Sequence, residues 1–202
     1  MFTLPFSMPH QHFMLHKPYG YLSQFVGESK KKKRLGDLFP FPEGSMAIGR
    51  LDEASEGLLL LTTNGKVSTL ITSSKLEKEY YAQVDGLITP EAVAQLQQGV
   101  EIGLRNEKYQ TKPCWAYIPE IIPDFGERSR KIRDERHGPT SWVSITLTEG
   151  KNRQIRKMTA AVGFPTLRLV RVRIGAFHLG NLPVGEVLDI TNQMEEMLQL
   201  HF

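Results

Sequence analysis

Residues 58–61 are four consecutive leucines, in a chain whose apolar positions otherwise recur with a period of two or about 3.6. The run fits neither period and is bounded by Gly57 and by Asn64-Gly65. It therefore predicts an interior strand, a buried helical turn being the other reading of the pattern. Alternation predicts two more strands. Over residues 79–84, Tyr80, Ala82 and Val84 face one way and Tyr81 and Gln83 the other, up to an Asp85-Gly86 turn. Over residues 141–148, Val143, Ile145 and Leu147 oppose Trp142, Ser144, Thr146 and Thr148. Shorter strand-like segments begin at His12, stopping at the Lys17-Pro18-Tyr19-Gly20 turn, and cover 114–118, 167–174, 177–179 and 186–190.

Helical periodicity appears between them. Asn64 is an expected N-cap for a short helix to about residue 71, with Val67, Leu70 and Ile71 inward. Thr89, with Pro90 at the first helical position, opens a second helix. Its apolar face is Ala92, Val93, Leu96 and Val100, and Gly99 marks its close. Asn152 is expected to cap a third, to about residue 162, with Ile155, Met158, Thr159 and Val162 inward and Gly163 at its end. Asn192 and Glu195 suit a capping box for a final helix. Residues 22–45 and the rest of 101–139 read as mostly irregular. Strands and helices follow one another without regular βαβ alternation. The expected class is α+β, with a mixed, mainly antiparallel central sheet and flanking helices.

Composition narrows the classes. A chain of 202 residues buries about 70% of its unfolded surface, so it needs no disulfide or metal staple. Cys114 is the lone cysteine, which rules out an intrachain disulfide and fits a reducing compartment. No His–Cys spacing suggests zinc. Residues 1–14 lack a basic region ahead of their apolar positions and are broken by Pro5, Pro9, His10 and His12, unlike a secretory signal; no apolar run is long enough to cross a bilayer. The expected location is the cytosol, with residues 1–11 as a tail.

Net charge is only +3, but it is clustered. Residues 30–34 are one basic block. Arg128, Arg130, Lys131, Arg133 and Arg136 form a second, and a solvated loop is the plain reading of both. Lys151, Arg153, Arg156 and Lys157 with Arg168, Arg171 and Arg173 form a third, its charges alternating with apolar residues in ordered elements. That pattern is the footprint of a nucleic-acid binder.

Chemistry enters at Gly49-Arg50-Leu51-Asp52. The segment sets a carboxylate at the mouth of the leucine strand, where a rigid element would hold a catalytic group. The plain alternative is a turn-capping aspartate.

Residues 49–62, with Asp52, Ser55, Gly57 and the leucine run, resemble the active-site signature of the pseudouridine synthases that modify ribosomal RNA. Lys78-Glu79-Tyr80 is similar to that family's Lys-x-Tyr strand. Residues 149–158, Glu-Gly-Lys-Asn-Arg-Gln-Ile-Arg-Lys-Met, resemble its basic strand-to-helix motif. The opening His16-Lys17-Pro18-Tyr19-Gly20 is also similar, with His16 where Asn is usual. These motifs stand in the family's order from about residue 13 to 190. Residues 139–142 and 159–169 look most like the branch that acts on 23S rRNA. The first catalytic strand begins by residue 13, so the S4 RNA-binding module that many relatives carry is not expected in this chain.

The resemblance implies a catalytic domain over residues 12–202, with two lobes sharing one sheet. It implies isomerisation of a uridine in 23S rRNA or in a large-subunit assembly intermediate, by a monomer. Asp52 would be the nucleophile, Tyr80 would stack on the base near its C5 proton, and Lys151 would be the cation holding Asp52 charged. Arg50, Arg153, Ile155 and Arg156 would contact RNA or base, with a brace on the catalytic loop as the other role for one of the two helix arginines. No cofactor and no metal are implied, since nothing is oxidised or reduced. The same reaction at another rRNA uridine, a non-catalytic assembly factor and a glycosidase are the competing readings; the last lacks a groove of stacked aromatics.

Overall fold

The leucine run lies in the middle of a nine-stranded sheet. The computed structural model describes residues 9–201 apart from 30, 106, 133 and 134. Most of the expected N-terminal tail, residues 1–8, and Lys30 and Arg133 of the basic blocks therefore lie outside the described residues. The first strands are β1 (His12–Lys17), β2 (Tyr21–Leu22), β3 (Lys33–Arg34), β4 (Met46–Ile48) and β5 (Glu56–Thr62). Helix α1 (Gly65–Ser73), β6 (Lys78–Asp85) and α2 (Pro90–Gln98) follow. Next come β7 (Glu101–Gly103), β8 (Lys108–Gln110), β9 (Trp115–Tyr117), β10 (Thr140–Leu147) and α3 (Gln154–Ala161). The chain closes with β11 (Thr166–Ile174), β12 (Phe177–His178), β13 (Val187–Asp189) and α4 (Thr191–His201).

The main sheet runs β13-β1-β5-β11-β6-β10-β9, with β12 on β11 and β4 on β5. Its pairings are antiparallel except β5 with β11, which makes the sheet mixed as expected. All seven residues of β5 are buried, so it shows no polar face and no period. Leu58 and Leu60 join Met14, Val170 and α4's Met194 on one side; Leu59 and Leu61 join Phe13, Leu15 and Leu51 on the other. Burying each leucine is worth about 1.5–3 kcal/mol.

Gly57 permits the parallel pairing. It sits at φ +100°, and a Cβ there would collide with the Arg171 carbonyl oxygen of β11. β6 obeys its predicted alternation. Ala82 and Val84, with Val143 and Ile145 of β10, fill a second core under α2 and α3, while Tyr81 packs on the first.

Asn64 caps α1 by accepting from the Lys66 and Val67 amides, and Thr89 caps α2 ahead of Pro90. Two other caps differ from expectation. The N-cap of α3 is Arg153, in the left-handed region at φ 50°, not Asn152. α4 begins at Thr191, whose amide donates to Asp189 Oδ1 at 2.8 Å, so Asn192 lies inside the helix and forms no capping box. The β7–β8 hairpin falls in a segment read as irregular. Only Ile102 of it is buried, too little apolar pattern to announce a strand.

Candidate active site

Backbone contacts pin the loop before β5 nearly residue by residue. Gly49 turns at φ +70°. Ser23 Oγ donates to the Leu51 carbonyl at 2.8 Å and accepts from the Leu51 amide at 3.1 Å. The Asp52 carbonyl accepts from Ser55 N, and Glu53's from Gly20 N. Arg156 Nη2 of α3 donates to the Ala54 carbonyl at 2.8 Å. The half-buried Asp52 carboxylate has no hydrogen-bond partner among the described residues. A carboxylate fixed through its backbone and left unpaired is available for chemistry.

Asp52 faces a cavity of about 350 Å³. β6 contributes Tyr80, whose register partners are Ile145 and Arg171. The loop from β10 to α3 contributes Glu149 through Gln154, followed by Ile155. Of the site residues expected from sequence, Asp52, Tyr80, Lys151, Arg50, Arg153 and Ile155 line this one cavity. Arg156 stands behind it, half-buried, bonded to the carbonyls of Ala54 and Thr166. It therefore braces the Asp52 loop, the alternative to a phosphate contact.

The β10–α3 loop is shaped by a side chain that sequence reading left unassigned. Gln154, 4% exposed, accepts from the Lys151 amide and donates to Glu149 Oε1. Glu149 also accepts from Tyr109 Oη at 2.7 Å and the Lys112 amide at 3.0 Å. Burial alone would raise the Glu149 carboxyl's pKa, but these hydrogen bonds hold it below the usual carboxylate range. The network supports Arg153 in its left-handed conformation, which costs about 1–3 kcal/mol in a non-glycine residue and aims an exposed guanidinium at the cavity rim.

The cations around Asp52 differ from expectation. Lys151 does not pair with it: among the described residues no ion pair joins the two, and the Lys151 ammonium lies 4.6 Å from the Tyr109 ring centroid. Two buried or half-buried cations, Arg156 and Lys17, interact electrostatically with Asp52. Burial, and next the Arg153 charge, lower the Arg156 pKa, while Asp52 acts to raise it. Lys17 is fully buried and donates to the carbonyls of Pro18 at 2.9 Å and Tyr21 at 2.7 Å. Burial pushes its ammonium down to about 8, against the opposing pull of Glu56, Asp52 and Glu53. In the sequence it stands in a turn and in the family-like segment from His16 to Gly20, with no role attached to it.

Lys17 makes the fold's stability pH-dependent. Its folded pKa is depressed, so between about 8 and 10.5 the unfolded chain holds a proton that the folded chain has released. The group's contribution is complete above 10.5 and is lost as pH falls toward 8. Urea titrations should show wild type gaining up to about 3 kcal/mol on Lys17→Met across that window. A constant difference would contradict the assignment.

Two of the three arginines of β11 are engaged by carboxylates and the third by a backbone carbonyl, so they do not form one free cationic stripe. Arg168 pairs with Glu56 at 2.9 Å, Arg173 with Glu77 at 2.9 Å and Glu79 at 3.1 Å, and Arg171 donates to the Leu58 carbonyl at 2.8 Å. The first basic block is also partly engaged. Lys32 pairs with Glu53, beside Asp52, and Arg34 bonds the Ser29 and Lys32 carbonyls. The exposed cations at the cavity are Arg50, Lys151 and Arg153.

Both the sequence and the fold match known proteins. A family model described as RNA pseudouridylate synthase matches residues 11–161. A ribosomal large subunit pseudouridine synthase E from Xanthomonas campestris pv. campestris is 43% identical over 175 residues, covering 86% of this chain and 91% of the relative. One of the same name from Vibrio parahaemolyticus is 40% identical over 179 residues, covering 88% of this chain and 72% of the relative. A solved pseudouridylate synthase structure superposes with a TM-score of 0.73 at 29% identity, over 96% of this chain and 76% of that one. Among the described residues no helix is long and apolar enough to cross a membrane. The matched span contains the Asp52 loop, Tyr80 and the whole β10–α3 loop, every wall of the cavity but Leu169; the chain belongs to the RNA pseudouridylate synthase family, which are isomerases.

Proposed function

We propose that this protein converts a uridine of large-subunit (23S) ribosomal RNA, free or in an assembly intermediate, to pseudouridine. The observation that carries this reading is the unpaired Asp52 carboxylate sharing one cavity with Tyr80 and a cationic rim. The large-subunit names of the most similar relatives support the substrate.

The reaction breaks the bond between uracil N1 and ribose C1′, turns the base and rejoins it through C5, releasing the C5 proton. Asp52 acts as the nucleophile, capturing an electron-poor centre while the base turns. Arg156 and Lys17 stabilise its charge in a partly desolvated site. Tyr80 offers a ring for the uracil to stack on and a hydroxyl near C5. Ile155, 4% exposed, belongs to the apolar cluster on which Tyr80 packs and forms the floor. Arg50, Lys151 and Arg153 hold phosphates while the base is swung out of its stack, a step costing a few kcal/mol. It acts as a monomer in the cytosol, where large-subunit ribosomal RNA is assembled.

Unmodified large-subunit ribosomal RNA incubated with the protein should gain a new pseudouridine, located by carbodiimide adduct formation and primer extension. Ribosomal RNA that gains none would contradict the reading and favour a non-catalytic RNA binder.

A further inference from the structure

A second cavity, of about 360 Å³, opens on the other side of Arg50 and Tyr80. The two cavities share Arg50, Tyr80, Glu149 and Gly150, so whatever fills one lies directly beside the other. Its apolar walls are Ile48, Ile71, Ile174 and Tyr80, and its cations are Arg50, Lys75, Lys78 and Arg171.

Those cations lack anions. Elsewhere Arg128, Arg168 and Arg173 each meet a carboxylate, yet among the described residues none is paired with Arg50, Lys75, Lys78 or Arg171. Arg171 is 4% exposed; its Nε is held by the Leu58 carbonyl, and its buried Nη2 has no partner. Lys78 donates to the Leu76 carbonyl alone, and burial together with the Arg171 charge lowers its pKa. The one wall carboxylate, Glu149, is already occupied by Tyr109, Lys112 N and Gln154. The C-terminal end of α1 adds only about half a negative charge, far short of four cations. An apolar slot beside an aromatic ring, under uncompensated positive charge, fits a planar base carrying a phosphate.

Resting on the isomerase reading above, we propose that this cavity receives a nucleotide flanking the target uridine on the same strand. Lys75, Lys78 and Arg50 take its phosphate, Arg171 supplies positive potential from the floor, and the base lies against Ile71 and Ile174. The enzyme would then read the neighbour of its target as well as the target.

The test uses RNA hairpins built around the modified uridine, intact or abasic at each flanking position in turn. Isomerisation by wild type and by Lys75→Glu, an exposed position, is measured as kcat/KM, with Lys78→Met as a second variant. At one flanking position the abasic change should cost wild type about tenfold and either variant less than about twofold, since the cavity no longer holds the base. Equal losses in wild type and variants, or indifference of wild type to every flanking base, would overturn the proposal. A wild type that modifies no uridine at all would sink the isomerase reading instead, so the two failures are distinguishable.

Discussion

Replacing Glu56 by glutamine is expected to destabilise the fold by about 3–5 kcal/mol, the usual result of breaking a buried ion pair from one side. Glu56 is 1% exposed at the start of β5, four residues beyond Asp52. Arg168 donates to it twice, at 2.9 and 3.2 Å. Arg128 Nε lies 3.0 Å from its second oxygen, charge-paired but off-line for a hydrogen bond. Glutamine keeps the volume and removes the charge, leaving two largely buried guanidinium groups without their anion. The damage should spread. Arg168 also bonds the carbonyls of Phe125 and Gly126, Phe125 packs on Tyr81 and Trp142, and Arg128 lies 3.9 Å over the Tyr19 ring. Glu56 therefore ties the loop between β9 and β10 to the strand behind Asp52. Urea denaturation should show the loss, with a melting temperature lower by about 10 °C. A loss below about 1 kcal/mol would mean that these charges are solvated.

The parts legible in the sequence were those whose cause is local. The leucine run reads as an interior strand, with a buried helical turn as the other reading, and all seven residues of β5 are buried; the alternation of residues 79–84 puts Tyr80 on the side of Ala82 and Val84, the side it takes in β6. Asn64 and Thr89 cap their helices with their own side chains, a signal confined to a few residues. What escaped depends on distant partners. Arg168 and Arg173 read as an RNA-facing stripe because Glu56, Glu77 and Glu79 lie about a hundred positions away in the chain. Lys151 is the partner of Asp52 that the family resemblance implies, but Tyr109, from a hairpin with too little apolar pattern to be read, lies beneath its ammonium. Arg153 shows the same dependence. No rule of propensity puts an arginine in the left-handed region, and only the Gln154–Glu149 network explains why it stays there. Nothing local in the segment from His16 to Gly20 shows that Lys17 becomes fully buried, because the residues that cover it come from elsewhere in the chain.

Exchange of Asp52 for asparagine should abolish catalysis while leaving the fold and RNA affinity intact. The loop is held through the carbonyls and amides of residues 51–54, none of which involves the Asp52 side chain, so the near-isosteric amide should fit without rearrangement. Removing one negative charge beside Arg50, Arg156 and Lys17 makes the cavity more positive, which holds RNA phosphates as well as before or better. An amide cannot act as the nucleophile, so the chemical step should slow by about 10⁴-fold or more. The deciding measurement is tritium release from C5-labelled uridine in unmodified large-subunit ribosomal RNA, made alongside filter binding of the same RNA. With Asp52 as the nucleophile, wild type should release tritium, Asp52→Asn none measurable, and the two dissociation constants should lie within about threefold of each other. Release by the variant at a rate within about tenfold of wild type would contradict that role, because a tenfold change is only about 1.4 kcal/mol of barrier.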